Sequence, residues 1–180
     1  MTLKNKKYPK ALKFEVQKAL SYYPNLKETP IEFKFKANIK RSTMQAQPRF
    51  SKIISPIEQR EYIIFIKPNL RLGDIDSPIE ELPDNVLIGW LGHELGHVMD
   101  YETMSNFKLI RFGLSYLTSQ KAIVNAERRA DEYAIRQGMK SYILETKNFI
   151  LNHADIPQKY KNRMKKYYLS PEEIMEMVTE

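Results

Sequence analysis

The stretch that most limits what this chain can become is Trp90-Leu91-Gly92-His93-Glu94-Leu95-Gly96-His97-Val98-Met99. It sets the pattern His-Glu-x-x-His against an apolar flank. On a helix His93 and His97 lie one turn apart and project from the same face. Two imidazoles at that spacing can hold one zinc ion, and Glu94 beside them can serve as a base. The rest of the chain either completes this pair or leaves it an ordinary helix surface.

Composition narrows the setting. There is no cysteine, which excludes disulfides and thiolate zinc ligands and fits a reducing compartment. At 180 residues, with 42% hydrophobic and 28% charged side chains, the chain reads as one globular domain, residues 1–180. The basic start, Met1 to Lys10, resembles a signal peptide in charge. Lys13, Glu15 and Lys18 interrupt the apolar segment that would have to follow. The run Val86 to Gly92 is far too short to span a bilayer. The expectation is a soluble, cytoplasmic protein. Net charge is +7, with basic clusters at Lys4 to Lys13 and Lys159 to Lys166. Such a surface can attract nucleic acid, but a solvated face in a Lys-rich chain is the favoured reading.

The fold class expected is α+β, a small and mostly antiparallel sheet followed by a helical half. Leu12, Val16, Ala19, Leu20 and Tyr23 repeat at helical spacing within Tyr8 to Tyr23, and Pro24 closes that helix. Ile31 to Lys36 alternates apolar and charged, as a half-buried strand does. After a polar connection, Lys40 to Gln47, the segments Phe50 to Ile54 and Glu61 to Ile66 read as two more strands. Two Ser-Pro-Ile-Glu segments, at Ser55 and Ser77, offer capping turns. Asp84 or Asn85 can cap the motif helix, which runs to about Tyr101. Helices follow over Phe107 to Thr118, Ala122 to Arg136 (ended by Gly138), Ser141 to His153 and Gln158 to Tyr168. Ser170-Pro171-Glu172-Glu173 opens a terminal one.

A catalytic zinc needs three protein ligands and one open position. Asp100 returns to the face of His93, but at about 1.5 Å per residue it sits roughly 10 Å along the axis. It cannot share one metal with His93, and a structural hydrogen bond is its expected role. Only three histidines exist, and the third, His153, stands near a helix end. Asn125-Ala126-Glu127-Arg128-Arg129-Ala130-Asp131-Glu132-Tyr133-Ala134 offers more. Glu127 and Asp131 share a helix face, and Ala126, Ala130 and Ala134 form a small-residue stripe that admits a second helix. Glu127 can then reach the metal while Asp131 orients an imidazole; the reverse assignment stays open.

HELGH followed by Glu127-x-x-Ala130-Asp131-x-x-Ala134 resembles the gluzincin zinc metallopeptidases. Closest in kind are the compact soluble minigluzincins and the heat-shock and prenyl-protein-processing membrane proteases. The resemblance spans Leu82 to Ala134. It implies a zincin-like fold, one Zn²⁺ per chain held by His93, His97 and Glu127, and Glu94 as general base and acid. Asp131 would stand behind an imidazole. It also implies that Glu61 to Ile66 is the cleft edge that pairs with an extended peptide or protein substrate. The implied chemistry is metal-assisted hydrolysis, which needs one further oxyanion donor; Tyr133, Tyr142 and His153 are the candidates. The chain lacks the spanning helices of the membrane members and leaves little sequence for a separate substrate domain. Two alternatives accompany this reading. The first is a regulatory or nucleic-acid-associated protein on the same fold. The second is a latent module whose terminal helix, with Ile174, Met175, Met177 and Val178, covers the cleft.

Overall fold

Parallel pairing, more than a run of hairpins, organises the sheet. The computed structural model describes residues 4–40 and 42–177. Met1 to Leu3, Arg41 and Val178 to Glu180, with the last residues of the expected terminal helix, lie outside the described residues. Strands β1 (Lys6–Lys7), β2 (Ile31–Phe35), β3 (Met44–Pro48) and β4 (Tyr62–Ile66) are ordered β1-β2-β4-β3. β1 pairs with β2, and β2 with β4, in parallel; β3 runs antiparallel to β4. The sheet is mixed, which corrects the mostly antiparallel one expected. Alternation within Ile31 to Phe35 encodes a half-buried strand but carries no direction. Direction is set by the crossover, here helix α1 (Lys13–Ser21), which returns the chain between β1 and β2.

A second correction concerns the strand beside β4. Phe50–Lys52 is a 3-10 turn, and Phe50 and Ile54 are 85% and 74% exposed. The strand is Met44–Pro48, inside the stretch expected as a polar connection. Met44 and Ala46 turn inward while Gln45 is exposed. β4 is therefore an interior strand, and β3 is the edge. A separate antiparallel hairpin, β5 (Asn69–Leu72) with β6 (Ile75–Pro78), follows.

The helical half keeps the expected order: α2 (Asp84–Glu102), α3 (Asn106–Thr118), α4 (Gln120–Ala134), α5 (Lys140–Asn152), α6 (Gln158–Tyr167) and α7 (Pro171–Glu176). Ser105 and Ser119 cap α3 and α4, and Ser170 with Glu173 closes a capping box on α7. α4 ends in a π turn where Gly138 takes φ 87°. The two Ser-Pro-Ile-Glu segments do form short turns, Ile57–Gln59 and Ile79–Glu81, without serine caps. Pro83, and neither Asp84 nor Asn85, precedes α2.

α2 is the axis of the molecule. Every residue from Val86 to Val98 is buried, against α1, β3, α4 and α5. Leu87, Leu91, Leu95 and Val98 are fully covered, each contributing about 1.5–3 kcal/mol of apolar burial. That burial holds the histidines of this helix in one place. Among the described residues no helix is long and apolar enough to cross a membrane.

Candidate metal centre

The site depends on how closely α4 approaches α2. A Cβ built on Gly96 would stand 2.3 Å from the Ala130 carbonyl oxygen, so only glycine fits there. Ala126, Ala130 and Ala134 are fully buried on the other side of that contact. Gly96, in the middle of HELGH, thus brings the two helices within ligand reach.

Across this contact His93 Nε2 lies 3.1 Å and His97 Nε2 3.3 Å from the same Glu127 oxygen, Oε2. The ligand atoms of His93, His97 and Glu127 all lie within 4.8 Å of one another, and all three residues are buried. These residues can hold a metal ion. Two nitrogens and a carboxylate oxygen beside an open cleft are a donor set that suits zinc. Asp131 stands behind the pair, with the His93 Nδ1–H donating to Oδ1 at 2.9 Å. Asp131 also accepts from Lys147 Nζ at 2.8 Å and from the Leu169 amide at 3.1 Å, both through Oδ2. Lys147 is only 3% exposed, a buried cation whose carboxylate partner is Asp131. His97 has no such support, because its Nδ1 is buried without a partner. Its ring lies nearly parallel to that of Tyr101, with 6.1 Å between centroids.

The electrostatics follow the contacts. Burial alone would lower the pKa of His93, but hydrogen bonds to Asp131 and Glu127 outweigh it and lift the imidazole from 6.5 to about 10. Burial pushes Glu127 up, and its bonds to both imidazoles draw it well below the usual carboxylate range. Asp131 is likewise lowered, with burial opposed by Lys147 and His93. Glu94 goes the other way. Burial raises it, and the attraction of His97 and His93 only partly offsets that.

Glu94 Oε2 accepts the Ala46 amide of β3 at 2.6 Å. That amide points away from β4, into a cleft of about 190 Å³ lined by Ala46, Gln47, Glu94, His97, Tyr116 and Tyr168 among others. The Ala46 carbonyl accepts from the Tyr101 hydroxyl at 3.4 Å. β3, and not Glu61 to Ile66, is the strand along this cleft.

Sequence reading missed several members. Tyr116 donates to Glu127 Oε1 at 2.5 Å, and Tyr168 lies against His93 with 5.3 Å between rings. Arg163 Nη2 lies 3.9 Å from Glu127 Oε1. None carries a local signature: Tyr116 comes from α3, Arg163 from α6 and Tyr168 from the residue just after α6. The three expected oxyanion donors do not line the cleft. Tyr133 is about 120° round α4 from Glu127. Tyr142 packs edge-on against Tyr22, and the His153 ring lies tilted against Phe149. Asp100 takes a structural role, paired with Arg129 at 2.9 Å. α7 also stays off the cleft. Its Ile174 is buried, Glu173 pairs with Arg128, and the Lys140 ammonium donates to the Met175 carbonyl at 3.0 Å. Comparison with known families, characterised proteins and solved structures finds no match.

Proposed function

We propose that this chain is a zinc-dependent endopeptidase of the gluzincin kind, with a zincin-like fold. One observation carries the reading. His93, His97 and Glu127 converge in a buried site, and Glu94 is held over the same cleft by an amide of its edge strand.

Zinc, when bound, supplies a polarising charge and a water whose pKa falls to roughly 7. The chain's own residues do the rest. Asp131 fixes the His93 ring through Nδ1, so that Nε2 faces Glu127. Glu94, raised by burial yet oriented by the Ala46 amide, is suited to take a proton from water and hand it to the departing amine. By the alternation of an antiparallel ladder β3 offers outward backbone groups at Met44, where an extended peptide can pair, while those of Ala46 are already engaged by Glu94 and Tyr101. Tyr168 replaces the donors expected from sequence. It lines the cleft, and its hydroxyl makes no hydrogen bond among the described residues, leaving it able to donate to an oxyanion.

The test is a peptide library incubated with zinc-loaded protein and read by mass spectrometry. Cut sites should appear with wild type and vanish with Glu94→Gln, which keeps its zinc. A wild type that binds no zinc at one per chain ends the reading. Tyr168→Phe should lower kcat by about 10²–10³ while zinc content holds; an unchanged kcat assigns the donor elsewhere.

A further inference from the structure

A groove of about 810 Å³ opens next to the metal cleft, between the start of β3, the β5–β6 hairpin and α6. Lys40, Lys67, Arg71, Lys159, Arg163 and Lys166 line it, against Asp76 as its single carboxylate. Among the described residues Lys40, Lys67, Lys159 and Lys166 have no carboxylate within 4.0 Å, so no described residue neutralises their charge. Like charges collected in a concavity focus their field and attract an anionic occupant.

The groove and the metal cleft adjoin. Ser42 lines both. Arg163 belongs to the groove wall and also reaches to 3.9 Å from Glu127. The β3 ladder extends to Thr43, whose carbonyl accepts the Lys67 amide at 2.9 Å, and Lys67 is itself a groove cation. Ala46 faces Glu94. At about 3.3 Å per residue, a strand paired along β3 comes over the groove roughly three residues from its scissile bond. Two tyrosines line the groove, and Tyr160 is half-buried with its hydroxyl held against Thr43 at 3.1 Å. The face of Tyr167 is covered by Arg163 at 4.8 Å and Lys166 at 5.2 Å. Extended polypeptide suits this surface better than single-stranded nucleic acid.

We infer that the groove is a specificity subsite for acidic polypeptide. On this inference the enzyme selects extended substrates bearing Asp or Glu side chains three or more positions from the cut, on the flank that leaves toward Ser42. This rests on the peptidase reading for the cut itself, but not for the binding.

Binding is measured first. Fluorescein-labelled peptides with a neutral core and a run of glutamates on the amino or the carboxyl flank, and their glutamine counterparts, are titrated into zinc-loaded Glu94→Gln protein. Salt is kept at about 150 mM so that loose surface attraction is screened. One glutamate peptide should bind about tenfold tighter than its glutamine twin, and the flank it carries gives the direction of the substrate. In Lys159→Glu/Lys166→Glu, two exposed positions of α6, the acidic-to-neutral ratio should fall to about one. Zinc content serves as the folding control. The milder pair Lys40→Gln/Lys159→Gln should shift the ratio the same way. Wild-type kcat/KM should show the same preference. Equal binding of both twins, or a ratio unmoved by either variant pair, overturns the inference. So does a single-stranded oligonucleotide that displaces the glutamate peptide and binds more tightly. If the acidic preference and its loss in the variants are seen but wild type cuts nothing, the subsite stands and the peptidase reading falls.

Discussion

The two imidazoles of the site are supported in opposite ways. On the His93 side the ring rests on Asp131, which is itself held by a buried lysine from α5 and a backbone amide beyond α6. On the His97 side there is a stacked tyrosine and no acceptor for Nδ1. The braced side is packed under three helices, while the other faces the cleft where a substrate would lie. One ligand is fixed by charge and hydrogen bonds, the other by shape. The braced imidazole should therefore set the metal's position, and the stacked one should tolerate change.

The largest effect should come from a substitution that removes the ground shared by both sides. Gly96→Ala places a Cβ 2.3 Å from the Ala130 oxygen and drives α4 away from α2. Zinc affinity should fall by more than about 100-fold, beyond what losing a supporting residue costs. Chelator competition measures it. Retained affinity would show that the helices can adjust.

Asp131→Ala strikes the braced side alone. It frees His93 and strands Lys147 in the interior, so zinc affinity should drop about 10–100-fold and stability by about 3–5 kcal/mol. Urea unfolding with zinc titration reads both. A loss under twofold would make the brace ornamental.

Acidity gives a milder probe of the same side in metal-free protein. The folded pKa of His93, about 10, lies above its ordinary 6.5. Its contribution to stability is whole below about 6.5 and is lost as pH climbs toward 10. Glu127 is lowered from 4.5, so its contribution is present above that value and is lost as pH falls further. Both shifts reflect one hydrogen-bonded cluster and are not summed. Melting temperature in the presence of a chelator should peak between about pH 4.5 and 6.5 and decline on the alkaline side. Asp131→Ala should flatten that decline. A level curve from 6.5 to 10 would remove His93 as the titrating group.

The smallest effect belongs to the His97 side. Tyr101→Phe keeps the stacked ring and loses the 3.4 Å hydrogen bond to Ala46. It should cost about 0.5 kcal/mol and change zinc affinity less than about twofold. If it matches Asp131→Ala, the contrast between the two sides is wrong.

What could be read from the sequence follows the same division. His93, His97, Glu127 and Asp131 were legible because each pair sits at helical spacing within one element, and because alanines announced a close helix contact. Gly96 escaped that argument, since a glycine inside a motif looks like filler until the Ala130 carbonyl is seen against it. Lys147 was not legible, because a lysine on an amphipathic helix defaults to solvent and only its burial shows otherwise. Tyr116 lies on α3 and Tyr168 just beyond α6, and no local pattern ties a tyrosine to a carboxylate on another helix. Tyr133, Tyr142 and His153 are candidates by residue type, which says little about which helix face a ring occupies. β3 was lost to its own composition. Met-Gln-Ala-Gln-Pro alternates correctly but weakly, while the greasier Phe50 to Ile54 lies largely outside the core. Direction in the sheet was beyond reach, because alternation is the same for parallel and antiparallel partners.

The Leu169 amide on Asp131 imposes an order in time. Chains emerge from the ribosome from the amino end, and folding begins before synthesis finishes. A chain stalled before residue 169 already holds both imidazoles and Glu127, yet its Asp131 lacks one of three donors. Its hold on His93 is looser until Leu169 is in place. The last donor arrives with the segment after α6, so the centre tightens only after all the other residues of the site have been added.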